Sequence, residues 1–204
     1  MNENEVKALL KNNFNLVEND LNNFKIYIDL LLEYNARYNL VSKKTEHIIW
    51  SRHILDSVQL LDYFNINLEG SLVDFGSGAG FPGLVLAICN KNPKFHVKLF
   101  EKSPVKRDFL NSVKDRIKIN VEIADNVYDE QINADIIVSR AFKKIEKIIE
   151  ISREILKKPH KIIILKGKNA QDEMNKVSLD SNYSYKLENS ITEIDSKIVV
   201  IKVI

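Results

Sequence analysis

The chain has 204 residues, with 30 Lys and Arg against 28 Asp and Glu, a formal net charge of +2, and 45% hydrophobic and 28% charged residues. That length fits one well-buried domain with a modest extension and falls short of two full domains. The balance is that of an ordinary globular protein, and a charge this small is no argument for nucleic-acid binding.

The N-terminal stretch MNENEVKALLKNN has acids where a secretory signal carries basic residues, with no continuous apolar run behind them. Up to about residue 64 the pattern is helical. Leu21, Phe24, Ile28, Leu31 and Leu32 recur at three- and four-residue spacing, as do Ile48, Ile49, Leu55, Val58 and Leu61. Arg37 to Ser42 reads as the loop between them, and Thr45 followed by Glu46 as the N-cap and first turn of a helix running from about 45 to 64. On that helix Arg52 and Asp56 stand four apart, the spacing of an ion pair.

From about 71 the pattern changes to short apolar runs alternating with amphipathic segments. Strands are predicted at 71–75, 96–101, 119–124, 135–139 and 161–166, and helices at 83–90, 104–115 and 143–157. Unalternating runs rich in Ile, Val and Leu suit a parallel sheet covered on both faces. The tail holds YSYKLENS and KIVVIKVI with no helix between them, which reads as a closing antiparallel pair. The lone Cys89 lies in an apolar run and is expected as a buried side chain in a reducing cytosol. No apolar run approaches the roughly 20 residues needed to cross a bilayer.

Four of the six glycines fall within VDFGSGAGFPGLVLA, Val73 to Ala87, between a predicted strand and a predicted helix. There, close backbone approach and helix N-terminal amides can meet a ligand. Gly78, Gly80 and Gly83 match the dinucleotide pattern GxGxxG, but FGS separates Gly78 from Asp74 at the end of the strand. The register Asp74, Gly76, Gly78, Gly80, with the acid two residues before the first glycine, is preferred; it resembles the loop of S-adenosylmethionine-dependent methyltransferases. Glu101 after the second strand and Asp125 after the third are placed to accept hydrogen bonds from ribose hydroxyls and an adenine amino group. Asp74, Glu101 and Asp125 together outline one ligand.

The flanking residues resemble a specific family, the small-subunit ribosomal RNA guanine-N7 methyltransferases, historically called glucose-inhibited division protein B. The resemblance runs from about Tyr34 to Gly167 and is carried by YNLVS (38–42), RHILDS (52–57), DFGSGAGFPG (74–83), FEKSPVKRDFL (100–110), SRA (139–141) and KG (166–167). The chain departs from the family at Ile123, where Arg is usual, at Asp125, where Glu is usual, and at His160, where Gly is common. The resemblance implies a Rossmann-like class I methyltransferase: a mainly parallel seven-stranded sheet with a C-terminal antiparallel pair in residues 65–204, and an N-terminal helical extension in residues 1–64. It implies that Gly76 and Phe81 line the donor site, that Ala124 and Asp125 lie against adenosine, and that Arg140 faces the active site. Asp74, Gly78 and Glu101 complete the expected donor-binding set. The implied substrate is 16S ribosomal RNA or the small subunit, in the cytoplasm; no metal and no membrane are expected, and a monomer is expected because no long apolar surface stripe is left unassigned. Rival readings are a same-fold methyltransferase of small molecules or proteins, and a non-catalytic nucleotide-binding module.

Guanine N7 is an unprotonated acceptor, so no general base is expected, and Arg140, at the carboxyl edge of the sheet, is the candidate for substrate positioning. Arg52, His53, Lys106, Arg107, Lys166 and Lys168 are the candidate RNA contacts, with Lys102, Lys143 and Lys144 extending a phosphate-binding rim along that edge. His53 also suits a structural cluster tying the N-terminal helices to the glycine loop.

Overall fold

The architecture is that of a computed structural model, which describes residues 1–129 and 132–204. Helix α1 (Glu3–Phe14) starts in a capping box: the Asn2 side chain accepts from the Glu5 amide at 3.0 Å, and the Glu5 carboxylate accepts from the Asn2 amide at 2.9 Å. Helix α2 (Glu18–Tyr38) buries Leu21, Phe24, Tyr27, Ile28 and Leu31, while Leu32, expected on the same stripe, faces out.

The single helix expected from 45 to 64 is instead a chain of short turns. A 3₁₀ turn (Lys43–Ile48) leads into a π turn (Trp50–Leu55), helix α3 (Asp56–Val58) and a second 3₁₀ turn (Gln59–Tyr63). Ser42, not Thr45, is the cap, its hydroxyl accepting from the Lys44 amide; the Thr45 hydroxyl donates to the Ser42 carbonyl at 2.8 Å and meets His53 Nε2 at 3.1 Å. The wide π turn moves residues four apart off a common face. The expected Arg52–Asp56 pair is therefore not made: Arg52 pairs with Glu193 at 2.7 Å and Asp56 faces Arg140.

Strands β1 (Gly70–Phe75), β2 (Phe95–Phe100), β3 (Glu122–Ala124), β4 (Ile136–Arg140), β5 (His160–Lys166), β6 (Tyr183–Asn189) and β7 (Lys197–Val203) form one sheet in the order β3-β2-β1-β4-β5-β7-β6. The first five pair in parallel, and β7 runs antiparallel to both β5 and β6. Helices α4 (Gly83–Cys89), α5 (Pro104–Ile117), α6 (Ile145–Ile155) and α7 (Ala170–Met174) connect them; α7 was not expected from the sequence pattern. Alternate strand residues serve two cores. Leu72, Leu99, Val138 and Ile163 pack with α1, α2, α4 and α5, whereas Val73, Phe75, Ile137, Ile162 and Ile164 pack with α6 and α7. A sheet buried on both faces explains why its strands read as unbroken apolar runs.

Lys166 at the end of β5 lies opposite Lys197 at the start of β7, so the β6–β7 loop reaches the same carboxyl edge as the glycine loop. Among the described residues no helix is long and apolar enough to cross a membrane.

Candidate active site

Asp74, next to the last residue of β1, is fully buried, and its Oδ2 accepts from the Gly83 amide at 2.8 Å. A Cβ at Gly83 would stand 2.6 Å from the Asp74 Cβ and 2.5 Å from Leu99, so glycine is what lets α4 press its first turn onto β1. Among the described residues Asp74 Oδ1 has no hydrogen-bond partner, and burial pushes this carboxyl up to about 7.

Between Asp74 and Gly83 the chain wraps outward. The amides of Gly76 and Ser77 both donate to the Phe100 carbonyl at 3.0 Å, and the Gly78 amide donates to Glu101 Oε2 at 2.8 Å. Gly76, Gly78 and Gly80 all have positive φ, a turn that side-chain-bearing residues resist. A Cβ at Gly78 would meet nothing closer than the Gly76 carbonyl oxygen at 3.9 Å, so this backbone faces open space. From the N-terminal region, the Tyr27 hydroxyl donates to the Ala79 carbonyl and holds the loop in place.

The opposite wall comes from the ends of β2 and β3. Glu101 Oε1 accepts from the Ser103 amide at 2.8 Å. Arg107 donates to Asp125 Oδ1 and to the carbonyls of Glu101 and Lys102, each at 2.8 Å, and so fastens this wall from behind. Between the walls lies a cavity of about 380 Å³, lined by Gly76, Gly78, Phe81, Glu101, Asp125 and Arg140, with Lys102 and Lys106 at its margin. Two carboxylates, a bare glycine backbone and the apolar Phe81, Phe100 and Val127 in one cavity fit a nucleoside carrying hydroxyls and a planar base. Asp74 and Ala124 do not line it. Asp74 shapes the loop from beneath, and the Ala124 carbonyl accepts the Glu101 amide at 3.0 Å.

Arg140, the last residue of β4, stands at the far margin. Its guanidinium lies 4.8 Å from the centre of the Phe81 ring, Nη1 donates to the Arg52 carbonyl at 3.2 Å, and the same atom is 3.6 Å from Asp56 Oδ2. His53 stacks on Phe81 with ring centres 4.7 Å apart. Burial, then the charges of Arg140 and Arg52, lower the His53 imidazole to about 3, so it stands neutral at physiological pH. A buried neutral ring with one nitrogen on Thr45 matches the structural role rather than a phosphate contact.

The lysines divide. Lys102, Lys143, Lys144 and Lys168 are exposed along the carboxyl edge, whereas Lys166 is held by Glu173 at 2.7 Å and by the Lys143 carbonyl at 2.9 Å. Phe142, Tyr27 and Val41 belong to the site and were not read from the sequence. An aromatic directly after SRA was the available signal for Phe142; Tyr27 sits on an apolar helix face, where nothing distinguishes it. Among the described residues no group of three or more His, Cys, Asp or Glu is arranged to hold a metal ion.

Residues 20–199 match the family model described as rRNA small subunit methyltransferase G. The chain is similar to proteins named ribosomal RNA small subunit methyltransferase G from Orientia tsutsugamushi strain Ikeda, 37% identical with 98% of each chain covered, and from Pelagibacter ubique, 33% identical with 95% of this chain and 93% of that one covered. Among solved structures it resembles a putative methyltransferase, yhhF, from Escherichia coli, with a TM-score of 0.56 at 13% identity over 72% of this chain and 85% of that one. It also resembles a mutant of MtNAS in complex with S-adenosylmethionine, with a TM-score of 0.60 at 12% identity over 100% of this chain and 84% of that one. Likeness at such identities is a likeness of fold.

Proposed function

The chain belongs to the rRNA small subunit methyltransferase G family, and we propose that it transfers a methyl group from S-adenosylmethionine to N7 of a guanine in the 16S ribosomal RNA of the small subunit. The observation that carries this reading is the cavity of about 380 Å³, where the glycine backbone, Glu101 and Asp125 suit the nucleoside of the donor and Arg140 stands at the margin. Gly76, Gly78 and Phe81 would hold the donor from the loop side, Glu101 and Asp125 from the other wall. When bound, S-adenosylmethionine supplies an electrophilic methyl on a sulfonium sulfur.

Guanine N7 offers its lone pair without losing a proton, which agrees with the neutral, buried state of His53 and makes alignment the main task of the chain. The positive φ turns at Gly76 and Gly78 and the brace from Tyr27 fix one side of that alignment, and Arg140, set at the end of a buried strand, fixes the other. With this activity go a cytoplasmic site of action and a monomeric enzyme.

The test is to incubate the protein with labelled donor and small subunits from cells that lack the enzyme, then map the labelled nucleotide. Label at one guanine N7 of 16S RNA is expected. Label only in protein or metabolites overturns the substrate, and donor binding without transfer favours a non-catalytic module.

A further inference from the structure

The carboxyl edge holds a second hollow of about 150 Å³, formed by Arg140 and Ala141 after β4, Lys166 and Gly167 after β5, Ser196 of the β6–β7 loop, and Asp56. Arg140 and Ala141 line this hollow and the larger cavity alike, so the two share a wall. Its volume equals that of about five liquid waters, the scale of one planar base rather than a whole nucleotide.

Asp56 is the unusual group in it. Its side chain is 3% exposed, and the two carboxylate oxygens are treated differently. Oδ1 accepts from the Thr192 hydroxyl at 2.8 Å, the Gln59 amide group at 2.9 Å and the Ser190 hydroxyl at 3.3 Å. Among the described residues Oδ2 has only Arg140 Nη1 at 3.6 Å, beyond hydrogen-bond length. Buried carboxylates normally have both oxygens satisfied; here three donors, one from the 3₁₀ turn after α3 and two from the β6–β7 loop, lock the rotamer and leave one oxygen to the hollow. Arg140 is unequally used too: among the described residues only Nη1 has a hydrogen-bond partner.

An acceptor with a fixed direction beside unpaired guanidinium donors is the complement of a base edge that presents two neighbouring N–H groups and a carbonyl. Guanine presents that set with N1–H, its 2-amino group and O6. Adenine presents an acceptor at N1 and no 2-amino group, and uracil has a single N–H on the corresponding edge. We propose that this hollow seats the target guanine and that Asp56 Oδ2 reads its N1–H and 2-amino group, with Arg140 donating to O6. The proposal rests on the guanine-N7 reading above and adds to it the residue that sets base specificity. A base held by its six-membered ring keeps the imidazole ring, and with it N7, clear of the reader. The Asp56 carboxylate also offsets the positive charge that N7 methylation leaves on the base.

The test uses small subunits assembled with guanine or inosine at the mapped target, since inosine keeps N1–H, O6 and N7 and lacks only the 2-amino group. Wild-type kcat/KM is expected to fall roughly tenfold or more on inosine, the cost of leaving a buried acceptor unpaired. Asp56→Asn should bring the guanine-to-inosine ratio close to one, because its amide nitrogen cannot accept either N–H. Ser190→Ala removes the 3.3 Å bond to Oδ1 together with the hydroxyl's contacts to Gln59 and Thr192, but leaves the Thr192 and Gln59 donors on Oδ1, and should keep the preference. Binding of the two subunits without donor should show the same ordering. Equal wild-type rates on both substrates overturn the proposal whether or not the variants fold, and so does an Asp56→Asn enzyme that retains the preference. Absence of wild-type methylation at guanine N7 sinks the premise itself, and the same mapping distinguishes that failure from the other two.

Discussion

The ring of Phe142 rests directly on Gly76: a Cβ built on that glycine would lie 2.3 Å from Phe142 Cδ2. Gly76 therefore serves two constraints, a φ of +71° and room for an aromatic ring that also packs edge-on against Phe75. Gly76→Ala should destabilise the protein by about 2–4 kcal/mol, the left-handed backbone cost plus overpacking. Phe142→Ala in the same chain should recover the overpacking part. Gly78→Ala, with no neighbour nearer than 3.9 Å, should cost only the backbone part, about 1–2 kcal/mol, while placing a methyl in front of the donor. Urea unfolding of wild type, these three variants and the single Phe142→Ala checks this, and equal losses for Gly76→Ala with and without Phe142 would contradict it.

The sheet was legible because strands buried on both faces leave short unalternating apolar runs rich in Ile, Val and Leu, and the glycine register was legible because Asp74 stands next to the end of β1. The segment from 43 to 63 was not. Residues 53–60 are all buried, so apolar periodicity stops reporting the turn, and π and 3₁₀ geometry carries no residue signature of its own. Asp56 illustrates the limit. Its spacing from Arg52 suggested a surface pair, whereas, apart from Gln59 three residues on, its actual partners Arg140, Ser190 and Thr192 lie more than 80 residues away and only the fold brings them together. The same holds for Lys166 and Arg107, read as open cations, which the fold pairs with Glu173 and Asp125.

Asp74 should govern donor binding through the loop rather than by contact. Asp74→Ala removes the acceptor of the Gly83 amide and should abolish measurable binding of S-adenosylmethionine by calorimetry, whereas Asp74→Asn retains an acceptor and should keep most of it. Undiminished binding by the alanine variant would refute the loop assignment. The carboxyl also sets a pH dependence. With its folded value near 7 against an ordinary 3.8, the native state holds a proton that the unfolded state lacks between those values. Stability contributed by this group thus declines as pH rises from about 4 to 7, by at most about 1.4 kcal/mol per unit. Asp74→Asn should flatten that part of the stability profile.

The lysines at the carboxyl edge should carry the salt dependence of RNA binding. Replacing Lys102, Lys106 and Lys168 with Ala should reduce the slope of log K against log salt by about 2, close to 0.7 for each single-strand phosphate no longer neutralised. Lys166→Ala should behave differently. That amine is tied to Glu173 and the Lys143 carbonyl, so its removal should lower the thermal midpoint and move the slope little. A drop in slope with Lys166→Ala alone as large as that of the triple variant would return this lysine to the phosphate rim.

His53 gives the fold an acid limit. Its imidazole titrates at about 3 in the folded chain against an ordinary 6.5, so between those values the unfolded state binds a proton that the folded state does not. Stability from this group is complete above about 6.5 and falls as pH drops, reaching a loss of about 2 kcal/mol at pH 5. Asp74 acts in the opposite sense over part of the same range, so the wild-type profile alone does not isolate either group. Substitution does: His53→Gln stays uncharged and keeps a polar partner for Thr45, and it should lose less stability than wild type between pH 7 and pH 5, by about 2 kcal/mol. Chemical unfolding of both proteins at the two pH values measures the difference. Parallel losses would mean that the imidazole is protonated within the fold, and the stacked, neutral ring on Phe81 would have to be given up.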